Sequence, residues 1–427
     1  MADAFPNRAA IEAQQLASLR ALLTALLPAN RFQSRRLPDA GLTASVASLA
    51  EFTRRCPFTA KDELLADQAA HPPFGTNLTF APERYTRFHQ TSGTSGAPLR
   101  WLDTPESWQW MLGNWAEVYR AAGVTPADRV YFAFSFGPFL GFWTAFESAA
   151  QLGFLCIPGG GLSSAARLRA ILENRATLLC CTPTYAIHLA EVAAKENLVL
   201  ANSAVRKIIV AGEPGGSIAT TRARIESLWP GARVFDHHGM TEVGPVTYEC
   251  PARPGVLHVI ERAYFAEVIH PTNGESVATG ETGELILTSL GRTGSPLLRY
   301  RTGDLVKPES KPCACGSHEL ALAGGILGRT DDMLIIRGVN IHPSAVEEII
   351  RNCGGVAEYQ ARITHRAAMT ELALAIEPSV GCVDASALAR KLEQALHAAF
   401  QLRIPVTSVA AGSLPRFEMK ARRWVKE

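Results

Sequence analysis

Six consecutive residues of closely related chemistry, Thr91, Ser92, Gly93, Thr94, Ser95 and Gly96, stand within the stretch HQTSGTSGAPLRW. Glycine lets backbone N–H groups approach an anion closely and hydroxyls add further donors, so this composition suits a loop that grips phosphate. Runs of Ser, Thr and Gly are more commonly flexible linkers, but the flanks argue otherwise. RYTRFHQ (84–90) alternates like a short strand, and the segment 105–123 carries Trp108, Met111, Trp115 and Val118 at helical spacing. The loop is therefore expected to join a strand to a helix. The pattern GxxxxGK[ST] is absent, so an ordinary P-loop is not supported.

The elements that must position such a loop follow from periodicity. To about residue 250, apolar strands alternate with glycine-rich turns and helical segments, as in ATLLCCTPTYAIHLAEVAAKEN followed by VRKIIVAGEPGG. That order argues an α/β layered fold with a parallel sheet. From about Phe265 the strands become shorter and Thr/Gly-punctuated, with Asn273-Gly274 the best turn signal. The last hundred residues read as a compact α+β unit with a helix over 384–401. The expected division is a large N-terminal α/β domain over 1–327, β-rich from about 250, and a small α+β domain over 328–427.

Composition narrows the partners. Lys and Arg number 42 against 40 Asp and Glu, so no electrostatic case for nucleic acid or a membrane surface arises. The uncharged stretch 130–146 imitates a membrane span, but Gly137, Pro138 and Gly141 interrupt it and Glu147 ends it, so a buried strand, turn and core helix are expected. Acidic Asp3 and Glu12 precede or enter the first apolar helix (Leu16, Leu19, Leu23, Leu26), which does not suit a secretory signal, and the chain reads as cytoplasmic. Nine cysteines, an odd number, do not suggest a disulfide framework.

Beside the opening loop stand AGEPGG (211–216), DHHGMTEVGP (236–245), YRTGD (300–304), GRTDDMLIIRGVN (328–340) and GSLPRFEMKARR (412–423). Together and in this order they resemble the adenylate-forming superfamily, most closely its phenylacetate–CoA ligase branch. The resemblance runs from FTAKDELL near Phe58 to the C-terminal lysine. It implies a large α/β domain with a small mobile C-terminal lid, and a reaction in two steps: a carboxylic acid and ATP give acyl-AMP, then a thiol takes the acyl group. ATP, Mg²⁺ and coenzyme A are the implied cofactors and co-substrates.

Residue roles implied by that resemblance are as follows. Thr91 and the loop Ser92 to Gly96 hold the β- and γ-phosphates, although Ala97 stands where many relatives place Lys, with Arg100 a nearby substitute. Gly212, Glu213 and Pro214 border adenine, together with Asp236, His237, His238, Gly239, Met240 and Thr241, His238 standing where an aromatic is usual. Glu242 is associated with Mg²⁺, a hard cation suited to carboxylate oxygen. Asp304 accepts from the ribose hydroxyls and Arg329 reaches ribose or phosphate. Lys420, preceded by Met419 where glycine is common, is the catalytic lysine, a point charge between carboxylate and α-phosphate. Asp331 marks the hinge, and Gly338 lines the thiol path.

Phe134, Phe136 and Phe139 occupy positions where relatives line the acyl pocket, which favours an aromatic acid. Ala211 borders the same pocket, and His237 and Ser135 are placed to meet a polar ring substituent. Separately, Cys313 and Cys315 with the following glycine form a turn aiming two thiolates at one centre, which Cys250 and His258 would complete as a structural zinc site. The leading expectation is an aryl acid–CoA ligase, possible as a homodimer. Loading of a carrier-protein phosphopantetheine and a non-catalytic ligand-binding relative are the alternatives.

Overall fold

The computed structural model describes residues 5–91, 97–310, 312–332, 334–337, 339–366, 369–379, 381–417 and 423–426. A five-stranded parallel sheet occupies the centre of the N-terminal part. Its order is Leu155–Pro158, Arg129–Phe132, Leu178–Cys181, Lys207–Val210, Arg233–Asp236. These strands are short apolar runs because helices cover both faces. Val130 and Phe132 face Trp115, Val118 and Tyr119 of the Pro105–Ala121 helix and Ala145 and Ala149 of the Leu140–Gln151 helix. Tyr131, between them, faces the opposite layer with Leu168, Leu189 and Ile225 of three further helices. Alternation with period two thus sorts one strand between two cores. Cys180 and Cys181 are both core residues.

The strand order reverses beside Arg129–Phe132, and in such sheets ligands settle outside the carboxyl ends at that reversal. Two segments leave the sheet there: 133–139, carrying the phenylalanines, and Thr182, whose hydroxyl caps the Pro183–Lys195 helix. The 130–146 stretch is indeed strand, turn and helix. Among the described residues no helix is long and apolar enough to cross a membrane.

The phosphate-loop candidate sits differently from expectation. Arg87–Gln90 pairs antiparallel with Arg100–Asp103, so the loop closes a hairpin, and the helix begins only at Pro105. The return strand forms because Trp101 and Leu102 find buried places, a tertiary reward that local pattern does not display.

Beyond residue 246 the chain is β-rich. Tyr264–Ile269, Gly283–Ser289, Tyr300–Val306 and Gly328–Arg329 form one antiparallel sheet, while Thr247–Glu249, Val256–Val259 and Ala321–Ala323 form another. From Leu334 a separate core is built on a sheet ordered Val406–Ser408, Met369–Pro378, Val356–Arg366, Trp424–Lys426, packed by Pro343–Cys353 and Ala385–Phe400.

Candidate active site

The β-sheet register brings Asp304 directly opposite Arg329. Arg329 Nη1 donates to Asp304 Oδ1 at 2.9 Å, and its other nitrogens grip Asp331 at 2.8 and 3.0 Å. Burial alone would raise the Asp304 carboxyl, but His238 and Arg329 hold it below its ordinary value. Asp304 Oδ2 lies 3.1 Å from His238 Nε2 at an angle that forms no hydrogen bond, and among the described residues neither buried atom has another hydrogen-bond partner. Buried polar atoms are seldom left so. A carboxylate acceptor and an imidazole nitrogen side by side suit vicinal hydroxyls of a ligand.

Next to this pair, Glu242 is 5 % exposed and takes a hydrogen bond from Tyr300 Oη at 3.4 Å. Lys61 Nζ approaches its Oε1 to 3.3 Å. What holds Glu242 in place is a fully buried ion pair. Arg292 binds Asp103 through two bonds of 2.7 and 2.6 Å and donates to the carbonyls of Thr241 and Glu242 at 2.7 and 2.9 Å. One guanidinium therefore ties the strand after the 92–96 loop to the acidic turn. Neither Lys61 nor the Asp103–Arg292 pair was expected from sequence; FTAKDELL contained the lysine, but nothing local marked its role.

Thr91 closes the hairpin: its N–H donates to Leu99 O and its Oγ1 accepts from Leu99 N, both at 3.0 Å. Among the described residues nothing accepts the hydroxyl proton. Ser92, Gly93, Thr94, Ser95 and Gly96 lie outside the described residues, as do Gly338, Met419 and Lys420. Arg100 is exposed, and its Nη1 donates to Pro73 O at 3.1 Å.

The turn after Lys207–Val210 shows Glu213 in a structural role. Its carboxylate accepts from Thr184 N at 2.8 Å, at the start of the Pro183–Lys195 helix, where a negative group is favourable. Gly212 and Pro214 flank it, and Ala211 N reaches Cys181 O at 3.3 Å across the strand ends. Asp236 likewise serves the protein, accepting from Ser217 Oγ at 2.5 Å and His237 N at 3.0 Å, with burial pushing its carboxyl up. Gly239 pairs with Pro245 and Met240 with Gly244; a Cβ on Gly239 would stand 2.9 Å from Gly244 O, so no side chain fits there.

On the far side of Gln90, whose N–H reaches Pro138 O at 2.9 Å, lies an aromatic cluster. Phe134 stacks on Phe142 (4.2 Å between centroids), Phe136 contacts Trp143 (4.8 Å) and Phe139 meets Phe142 (6.1 Å). Ser135 is exposed and accepts from the buried Arg167 at 3.4 Å. His237 packs on Trp115 at 4.4 Å, against the same core that holds Phe134. Gln90 thus links the hairpin to the aromatic wall.

A second cluster lies in the β-rich region. Cys250, His258, Cys313 and Cys315 bring their ligand atoms within 4.8 Å of one another. Cys250 Sγ is 3.9 Å from Cys313 Sγ, and Cys315 Sγ 3.5 Å from His258 Nε2. The turn forms because Gly316 N bonds Cys313 O and Cys313 N bonds Ser317 O, both at 2.8 Å, with Gly316 at φ 91°. Zinc–thiolate bonds of about 2.3 Å in a tetrahedron put sulfurs about 3.8 Å apart, so the four residues fit that ion.

The parallel sheet, the β-rich region and the separate C-terminal core define the adenylate-forming enzyme fold. Comparison with solved structures agrees: a 2-hydroxyisobutyryl-CoA ligase in its postadenylation state, in complex with 2-HIB-AMP, matches with a TM-score of 0.92 at 30 % identity, covering 99 % of this chain and 91 % of that one. The same ligase with 2-HIB-AMP and CoA in its thioesterification state matches with a TM-score of 0.75 at 31 % identity, with 99 and 91 % covered. Among curated proteins, the phenylacetate-coenzyme A ligase of Thermus thermophilus is 32 % identical over 87 % of this chain and 81 % of its own length. The family described as AMP-binding enzyme matches residues 44–292 and its C-terminal domain residues 338–427, so the chain belongs to the AMP-binding enzymes.

Proposed function

We infer that the chain is an AMP-forming acid–CoA ligase: it adenylates a carboxylic acid with ATP and passes the acyl group to the thiol of CoA. We further propose that the acid is aromatic, since the partly exposed Phe136 and Phe139 extend an aromatic cluster that Phe134 anchors in the core. The observation that carries the reading is the Asp304 carboxylate, 3.1 Å from His238 and next to buried Glu242, a seat for ribose beside a carboxylate suited to a phosphate-bound cation.

In the first step an acid oxygen bonds to the α-phosphorus as the bond to pyrophosphate breaks. Such a displacement needs alignment and charge neutralisation more than covalent help from the protein. Asp304 and Arg329 hold the ribose end. His238 packs by the base with the Gly212–Pro214 backbone, which Glu213 stiffens from behind. Thr91 and the Ser92–Gly96 loop take the outer phosphates. Lys420 neutralises charge between the carboxylate and the α-phosphate. Mg²⁺ would be held by Glu242 and supply neutralisation of the phosphate oxygens. In the second step the CoA sulfur bonds to the acyl carbon and AMP leaves. Residues 328–427 turn about Asp331 between the steps, and Gly338 leaves room for the thiol arm.

Cys250, His258, Cys313 and Cys315 would hold a structural zinc that pins the 313–317 turn to the adjoining sheet. Metal analysis should find about one zinc per chain, lost in Cys250→Ser. To test the function, the protein is incubated with Mg²⁺, ATP and a panel of aryl acids, with and without CoA, and analysed by mass spectrometry. Acyl-AMP without CoA and acyl-CoA with it are expected. Acyl-AMP that ignores CoA would shift the acceptor to a carrier-protein phosphopantetheine.

A further inference from the structure

Arg167, on the Ser164–Glu173 helix, is 2 % exposed. Its guanidinium donates in three directions: Nε to Gly159 O at 2.8 Å, Nη1 to Tyr185 Oη at 2.6 Å and Nη2 to Ser135 Oγ at 3.4 Å. It also lies over the Tyr185 ring, 5.2 Å from the centroid. The three partners sit in the segments that leave three adjacent strands, Arg129–Phe132, Leu155–Pro158 and Leu178–Cys181, at their carboxyl ends beside the reversal of strand order. Among the described residues no carboxylate pairs with Arg167. The nearby Tyr131 hydroxyl, pushed up to about 12 by burial, stays neutral and adds no counter-charge. A buried cation without a counter-ion is costly, and only a guanidinium offers donors in several directions from one rigid plane. The turn at 159–161 that it holds packs on the aromatic loop: a Cβ on Gly160 would meet Phe136 Cδ2 at 3.4 Å and Phe134 O at 3.6 Å.

We propose that Arg167 is a positioning residue for acid selection: by tying Ser135 and the turn at 159–161 to the start of the Pro183–Lys195 helix, it fixes the stance of Phe134 and Phe136 and thereby the length of acid that is adenylated. This rests on the reading of the 133–139 loop as a wall of the acyl site. Arg167 acts through that loop and does not touch the acid. Without the guanidinium, the loop and the glycine turn lose their common anchor, and a misplacement of about 1 Å remote from the chemistry changes rates by up to about 100-fold. Acids of different length set their rings at different depths along the wall, so a loosened wall changes their rates unequally.

The test measures kcat/KM for adenylation of benzoate, phenylacetate and 3-phenylpropionate, together with KM for ATP. The wild type should favour one length by about 10-fold or more. Arg167→Met should bring that preference close to one while KM for ATP stays near the wild-type value. Ser135→Ala, at an exposed position, removes one of the three ties and should lower the preference less. The double variant should fall no further than Arg167→Met alone, since residues acting as one unit are not additive; effects that multiply overturn the proposal. A purely structural role would lower kcat/KM for all three acids by a common factor and leave the preference intact, which also overturns it. If Arg167→Met does not fold, Ser135→Ala decides together with Tyr185→Phe, which keeps the ring but removes the Nη1 acceptor. An unchanged preference in both overturns the proposal. Equal turnover of the three acids by the wild type does so too, while the ligase reading stands. Failure of every aryl acid to form acyl-AMP overturns both.

Discussion

Two sets of charges organise this molecule, and they are built in opposite ways. At the N-terminal site, Asp103 and Arg292 are wholly buried and bonded twice, and Asp304 is gripped by Arg329. Where the C-terminal unit meets the N-terminal helices, Arg416 stands 3.7 Å from Glu191, which is also 3.8 Å from Arg224, and all three side chains keep a quarter or more of their surface in water. Among the described residues Arg416 is held most closely by its own unit, through Glu377 at 2.6 Å. A tightly bonded buried pair resists rearrangement, whereas a solvated contact forms and breaks at little cost. That difference sets a rigid site beside a unit whose contact with the N-terminal helices breaks at little cost. The chain matches the similar ligase in its postadenylation state with the higher TM-score, 0.92 against 0.75 for the thioesterification state.

Breaking the rigid half should cost most. Asp103→Leu leaves Arg292 buried without its partner and is expected to destabilise the protein by about 3–5 kcal/mol, read as a lower denaturant midpoint. Lys420→Ala should reduce acyl-AMP formation by at least about 100-fold while supplied acyl-AMP still reacts with CoA, measured as separate half-reactions.

The third prediction concerns protons. His89, facing Asp103, Arg292 and Arg87 and stacked on Trp108, and His237, beside His238, both have pKa values lowered by burial from 6.5 to about 4. The unfolded chain takes protons that these folded imidazoles refuse. Their contribution is complete above pH 6.5 and is lost as pH falls from 6.5 toward 4, by up to about 1.4 kcal/mol per pH unit for each ring. A pH series of urea midpoints checks it, and His89→Phe should flatten the slope.

The solvated half should respond least. Glu191→Gln removes a contact that water screens, worth about 0.2–1 kcal/mol, and should slow adenylation no more than about five-fold. Thioester formation from supplied acyl-AMP should stay level or rise. An equal fall in both half-reactions would remove the distinction between the two regions.

The candidate motifs were legible because each is local: YRTGD lies along one strand, DHHGMTEVGP runs from a strand end through a short hairpin, and the parallel sheet followed from apolar runs separated by glycine turns. The hairpin at Arg100–Asp103 was not legible, because its strand state comes from the buried seats of Trp101 and Leu102 rather than from its own pattern.

The sequence by itself determined which residue types are available for chemistry: hydroxyls and glycines at 91–96, acids at 242 and 304, and three cysteines and a histidine of ligand type. Tertiary structure alone decided what each can do. Asp103 and Arg292 are 189 residues apart and meet only through folding. Glu213 and Asp236 accept from the protein's own backbone N–H groups, while Asp304 Oδ2 faces His238 Nε2 at 3.1 Å. The proton position on His237 was set by one carbonyl on a neighbouring strand. Local pattern encodes secondary structure and residue chemistry, but burial, partner and protonation state are properties of surroundings that only the folded chain assembles.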